Sequence, residues 1–143
     1  VIESSTVATG ATVGPFAHLR PNSHLGQDVH IGNFVEVKNS TLGAGVKSGH
    51  LTYIGDADLG RDINIGCGTI FVNYDGKKKH RSTVGDQAFI GCNANIVSPV
   101  KIGDQTFIAA GTTVTHDVPD QALAISRVKQ DNIPNYWQKF SKK

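Results

Sequence analysis

The chain has 143 residues, a formal net charge of +2, 38% hydrophobic residues and 18% charged residues. This suits one domain with a buried core and excludes intrinsic disorder, collagen and a membrane-spanning helix, for which no apolar run is long enough. Two cysteines form no disulfide framework and no metal-binding spacing, so a reduced, cytoplasmic setting is expected. The small net charge conceals a division. Residues 1–76 hold four basic against seven acidic residues, and residues 82–126 hold one against four. Lys77-Lys78-Lys79-His80-Arg81 and residues 127–143 each contribute +4. An acidic body with two compact basic patches suits phosphorylated small molecules, nucleic acid or an anionic surface. The absence of methionine, at position 1 included, points to a piece of a longer protein.

From the first residue onward a period of six governs the chain. Aliphatic residues recur at Val1, Val7, Val13, Leu19, Leu25, Ile31 and Val37. One five-residue step leads to Leu42, then Ser48 and Ile54; another leads to Leu59, Ile65 and Phe71. After an insertion the period resumes at Val84, Ile90, Ile96, Ile102, Ile108 and Val114. Of the sixteen glycines, eleven directly follow one of these positions. Six fits neither the 3.6 period of an amphipathic helix nor a long alternating strand. It predicts a coil of short strands, each coil burying its apolar side against the next, with glycine serving tight corners.

Two segments break the repeat. The step from Phe71 to Val84 is thirteen residues, which predicts a loop at 72–83 thrown out from one corner. From Pro119 the repeat stops, so residues 1–119 form the coil and 120–143 a C-terminal cap and tail, with a short helix expected at 135–143.

With three hexads per coil, residues 18 apart stack. Arg20 and Lys38 are so spaced and stand where most hexads carry glycine; Tyr53 falls near the same corner after the five-residue step. These suit a phosphate or sugar-phosphate site, or alternatively a solvated cationic corner. His50, Cys67, Cys92 and Ala110 form a second column. Its small side chains read as a shallow groove for a thin ligand, with His50 as a general base at one end, or as ordinary repeat packing. His18, His24 and His30 lie on successive faces and cannot converge, so no metal site is expected. The lysine run lacks an aromatic platform beyond Tyr74, so nucleic acid is not expected as a partner.

Segments Gly14–Pro21, Gly32–Lys38, Gly49-His50-Leu51-Thr52-Tyr53-Ile54-Gly55-Asp56, Asn64–Gly66, Asn73-Tyr74-Asp75-Gly76, Ala110–Val114 and Ala122–Arg127 are more specific than hexads alone. Together they resemble the acetyltransferase domain of the bacterial bifunctional N-acetylglucosamine-1-phosphate uridylyltransferases/glucosamine-1-phosphate acetyltransferases, within the hexapeptide-repeat family. That resemblance implies a left-handed parallel β-helix that transfers acetyl from acetyl-CoA to the amine of glucosamine-1-phosphate. It implies His50 as proton acceptor, and Arg20, Lys38, Tyr53 and Asn64 on the sugar phosphate. Cys67, Asn73, Tyr74, Cys92, Ala110 and Arg127 would bind acetyl-CoA, with Lys79 close by. It further implies a homotrimer with active sites between subunits. A hexapeptide acetyltransferase with another acceptor and a non-catalytic trimerising β-helix are the alternative readings.

Overall fold

The computed structural model describes residues 1–141; the last two residues of the expected helical stretch, Lys142 and Lys143, lie outside the described residues. Seventeen strands, most of two or three residues, precede one short helix at Tyr136–Phe140. Every ladder between strands is parallel, and partners lie one coil apart in sequence. The chain is therefore a parallel β-helix, as the six-residue period requires.

Three inward columns build its core. Val7, Leu25, Leu42, Leu59, Val84 and Ile102 stack on one face. Val13, Ile31, Ser48, Ile65, Ile90, Ile108 and Ala124 stack on the second. Leu19, Val37 and Ile54, then Phe71, Ile96 and Val114, stack on the third. The single-residue deletions at Leu42 and Leu59 are absorbed within the register, so the ladders run unbroken past both. In the regular six-residue steps the residue four places after the hexad start also points inward: Val29, Val35, Ile63, Ala88 and Ala94 are all buried. Several inward hydroxyls find backbone partners at the corners; Ser23 Oγ donates to the Arg20 carbonyl at 2.7 Å, and Thr69 Oγ1 to the Gly66 carbonyl at 2.8 Å. Burial of such groups is tolerated because those bonds are made.

The glycines serve a different purpose from the one their phase suggests. Among the in-phase set only Gly14, at φ 122°, has a left-handed backbone. The left-handed corners fall two or three residues after the hexad start, on Asn22, Asp28, Phe34, Leu51, Asp62, Gln87, Asn93 and Gln105 among others. Gly32 shows why the in-phase residue is small: a Cβ there would collide with the Gly49 backbone of the next coil. Close approach between coils, and not backbone conformation, sets the phase.

The acidic character of the body has a structural origin too. Asp86 Oδ1 accepts the Arg61 N–H at 2.9 Å, Asp104 Oδ1 that of Asp86 at 2.8 Å, and Asp120 Oδ1 that of Asp104 at 2.8 Å. Each aspartate thus satisfies a corner amide of the coil below it. Gln87, Gln105 and Gln121 form an amide ladder beside them.

Two strands, His30–Lys38 and Lys47–Gly55, are nine residues long and run through a corner, joining the second and third faces. They carry His50 near the bend and Lys38 and Tyr53 near the far end of the third face. The strand Ile70–Val72 ends just before the insertion and Ser82–Val84 follows it. The strand Leu123–Ala124 adds a further level to the second face, beyond Pro119.

Candidate functional site

The corner after the third face gathers the charged groups. Arg20 follows Leu19, Lys38 follows Val37 and Gly55 follows Ile54, so the three share one outward column. Gly55 leaves room there: a methyl at that position would strike the Tyr53 phenol and the Asn73 amide. The missing side chain lets Tyr53, two residues earlier, lay its hydroxyl over the corner. Asn73 Nδ2 donates to that hydroxyl at 3.2 Å.

Beneath them lies Asp56, only 5% exposed. Its carboxylate accepts from Lys38 Nζ at 3.1 and 3.2 Å, from Asn39 Nδ2 at 2.7 Å and from Asn73 Nδ2 at 2.6 Å. Burial disfavours the charged form, but the bonds from Asn39, Asn73 and Lys38 outweigh it and hold Asp56 below the ordinary carboxylate range. Burial likewise opposes the charge on Lys38, yet the Asp56 carboxylate bonded to its Nζ holds the ammonium above the usual lysine range. The Lys38 ammonium, with Arg20 further off, pushes Lys79 downward. Arg20 Nη1 also reaches Glu36 at 3.4 Å. Three cations crowd a single corner with one buried anion beneath them. A depression of ≈ 310 Å³ lies there, lined by Lys38, Asn39, Asp56, Lys79, His80 and Arg81.

The insertion is an ordered hairpin. Tyr74 pairs antiparallel with Lys79, and the His80 amide donates to the Asn73 carbonyl at 2.7 Å. Asp75 Oδ1 accepts the amides of Lys77 and Lys78, both at 2.8 Å, and Asp75 Oδ2 meets His80 Nε2 at 2.7 Å. Arg81 fastens its far end with two bonds of 2.6 Å to Asp58 and one of 2.9 Å to the Asn39 carbonyl. Both ends of the hairpin are thereby tied to the turns that hold Lys38.

A second group follows the bend between the second and third faces. His50 lies opposite Asn33, and Cys67, Cys92 and Ala110 continue the line, with the Asn93 amide bonded to the Cys67 carbonyl and the Gly111 amide to that of Cys92. Arg127 closes it, donating from Nη2 to the Ala110 carbonyl at 3.0 Å. Cys67 is half-buried and Cys92 exposed; both are free thiols. Beside this line runs an exposed apolar stripe of Phe16, Phe34 and Leu51, 67%, 61% and 54% exposed. The first two rings stack at 5.8 Å.

Within one chain the two groups stay apart. His50 stands five residues before the Lys38 level, a strand run of roughly 16 Å. Asn64 pairs with Lys47 and Phe89 on the second face and does not reach Tyr53. Asn73 and Tyr74 belong to the cationic corner and not to the cysteine line. His24 and His30 bond to Thr6 and Thr12 at 2.8 and 2.7 Å, on separate faces. Among the described residues no cluster of histidine, cysteine and carboxylates is arranged for a metal ion, and no helix is long and apolar enough to cross a membrane. Asp56 is the group that counting by eighteens obscures: the five-residue step makes this coil 17 residues long, so Gly55 is level with Lys38 and Asp56 lies one place beyond it.

Comparison with known proteins agrees with this geometry. Residues 81–116 match the bacterial transferase hexapeptide family (six repeats). The bifunctional protein GlmU of Caldicellulosiruptor saccharolyticus is 62% identical over 132 residues, 92% of this chain and 28% of that protein. GlmU of Shouchella clausii is 53% identical over 139 residues, 97% of this chain and 31% of that protein. The chain thus spans about three-tenths of the length of these relatives. Among solved structures, PerB of Caulobacter crescentus in complex with CoA and GDP-perosamine superposes with a TM-score of 0.73 at 27% identity, over 81% of this chain and 54% of that one. The acetyltransferase domain of PglB from Neisseria gonorrhoeae shares the fold, with a TM-score of 0.72 at 21% identity over 80% of this chain and 53% of that one. Over nearly its whole length the chain is similar to the GlmU proteins, and within it residues 81–116 carry the match to the hexapeptide model.

Proposed function

We propose that this chain transfers the acetyl group of acetyl-CoA to the amine of glucosamine-1-phosphate, giving N-acetylglucosamine-1-phosphate for UDP-N-acetylglucosamine and cell-wall precursor synthesis. The observation that carries the reading is the corner of Arg20, Lys38 and Lys79 with the Tyr53 phenol, preassembled over Asp56. Guanidinium and ammonium groups so placed suit a phosphate dianion. The similarity to GlmU proteins supports the acceptor, and PerB, crystallised with CoA and an amino-sugar nucleotide, supports the donor.

In this reading residues 1–119 carry the reacting groups, and 120–143 cap the coil and contribute Arg127 to the acetyl-CoA line. Arg20, Lys38, Tyr53 and Lys79 hold the phosphate, and Asn64 contacts the sugar. The line of Cys67, Cys92, Ala110 and Arg127 carries acetyl-CoA, with Asn73 and Tyr74 supplied across a subunit boundary. His50 takes a proton from the acceptor nitrogen as that nitrogen bonds to the thioester carbonyl carbon. The carbon–sulfur bond then breaks and the proton leaves with the CoA thiol. No acyl-enzyme is needed, because the thioester is already activated. Alignment of two bound substrates supplies much of the barrier reduction.

The separation of His50 from Lys38 on one chain supports active sites completed between subunits. A homotrimer, with the stripe of Phe16, Phe34 and Leu51 turned toward a neighbour, accounts for both. Acetyl-CoA and a sugar phosphate as substrates support a cytoplasmic location. The test is a CoA thiol-release assay with glucosamine-1-phosphate against glucosamine. His50→Ala is expected to lower kcat by ~10²–10⁴-fold with the fold retained, as for loss of a general base. Near-normal turnover in that variant would overturn the assignment of the base, and equal rates on both sugars would overturn the phosphate site.

A further inference from the structure

Asp56 is the one ionisable side chain among the buried polar residues described, and its surroundings are unlike those of the other coil aspartates. Asp86, Asp104 and Asp120 accept backbone amides at an exposed edge, which is all that the fold requires of a corner acid. The Asp56 carboxylate accepts from three side chains, Lys38, Asn39 and Asn73. Its backbone stands at φ 52°, a left-handed conformation that aspartate tolerates better than most residues and that turns the side chain under the corner.

We infer that Asp56 is a positioning residue for the phosphate end of the acceptor, fixing the Lys38 ammonium and the Asn73 root of the hairpin in one place. The inference rests on the proposed phosphorylated acceptor. Lys38 spends its contacts with Asp56 on one side and keeps donor capacity on the side shared with Arg20 and Lys79. Without an anchoring anion, three cations at one corner would spread apart to reduce their repulsion, and the site would have to be reassembled at each binding event. With it, the cations are held ready before the dianion arrives. The groups facing Lys38 are Lys79, Asp56 and Tyr53, and Asp56 is the carboxylate among them, bonded to Nζ through both oxygens.

Asp56→Asn keeps the shape but cannot accept from all three donors, since its amide nitrogen meets one of them as a second donor. The quantity to measure is the ratio of kcat/KM for glucosamine-1-phosphate to that for glucosamine. In Asp56→Asn this ratio falls by about 10-fold or more, the scale of a lost charge-assisted contact, chiefly through KM for the phosphorylated sugar. Asp58→Asn loosens the other end of the hairpin through Arg81 while the Lys38–Asp56 bonds remain; there the ratio falls by less than in Asp56→Asn. On a Lys38→Ala background, Asp56→Asn lowers the ratio no further. If Asp56→Asn does not fold, Asp56→Glu displaces the same charge by one methylene and gives the same fall. An unchanged ratio in the Asp56 variant, or an equal fall in Asp58→Asn, overturns the positioning role.

A wild-type protein indifferent to the phosphate would instead overturn the proposed acceptor. The positioning role is then read without turnover, by the NMR titration of the Lys38 side chain. Its midpoint drops in Asp56→Asn if the carboxylate holds the ammonium, and a midpoint that does not move overturns the inference.

Discussion

Ser48 occupies an inward position whose neighbours in the same column are Ile31 and Ile65, and its buried hydroxyl has no partner among the described residues. Its counterparts Ser23 and Thr69 escape this because a corner carbonyl lies within reach. An unsatisfied buried hydroxyl costs about 1–3 kcal/mol. Ser48→Ala is therefore expected to stabilise the chain by about 1 kcal/mol, read as a higher denaturant midpoint with an unchanged slope. A lower midpoint would show that the hydroxyl is used. The phase that exposes Ser48 was legible because each coil repeats the same geometry, so one side chain out of character stands against its whole column. Asp56 was harder to read, since an aspartate after glycine looks like any turn. Only its partners, brought in from residues 38, 39 and 73, distinguish it. The in-phase glycines were found for their position but explained by the wrong cause, because backbone φ and clearance from the next coil leave the same trace in a sequence.

The hairpin at 73–81 is the element in which charge replaces a core. Its side chains are mostly exposed, and three carboxylates secure it. The His80 bond, then the Lys78 and Lys77 amides, bring Asp75 down to about 2. Arg81 lowers Asp58 against the effect of burial, and Asp56 is lowered as described above. A carboxylate with a depressed folded-state pKa contributes stability above its unfolded value near 4, and loses it as pH falls through the folded value. The hairpin should accordingly hold from neutrality down to about pH 4 and loosen between there and about pH 2. Pepsin cleavage within 73–81 gives the measurement: resistance at pH 4, cutting as pH approaches 2, and early cutting at pH 4 in Asp75→Asn. Uniform sensitivity across that range would mean that the carboxylates do not order the element. Thirteen residues in place of six announced an insertion in the sequence. Its hairpin form was not announced, because the ties run from Asp75 to its own backbone and from Arg81 to the strand Ala57–Leu59, 23 residues earlier at Asp58.

At the scale of the molecule, the β-helix acts as a ruler that keeps the proposed base and the proposed phosphate anchor on different edges of one face. The strand turns its corner at Leu51, between His50 and the Lys38 level, and Lys38 is held by its bonds to Asp56. With sites completed between subunits, as proposed, His50 comes from one subunit and Lys38 from another. The apolar stripe of Phe16, Phe34 and Leu51, beside His50, supplies the surface such contact would bury. The arrangement predicts complementation. His50→Ala and Lys38→Ala chains, each nearly inactive alone, should regain activity when unfolded and refolded together, because a mixed trimer contains some sites with both native residues. For random assembly one of every four base–anchor pairings is intact, so recovery to about a quarter of the wild-type rate is the upper expectation. Mixtures that stay as inactive as their components would place base and anchor on the same chain, and Leu51→Arg, which charges the stripe, should abolish recovery and shift sedimentation toward monomer.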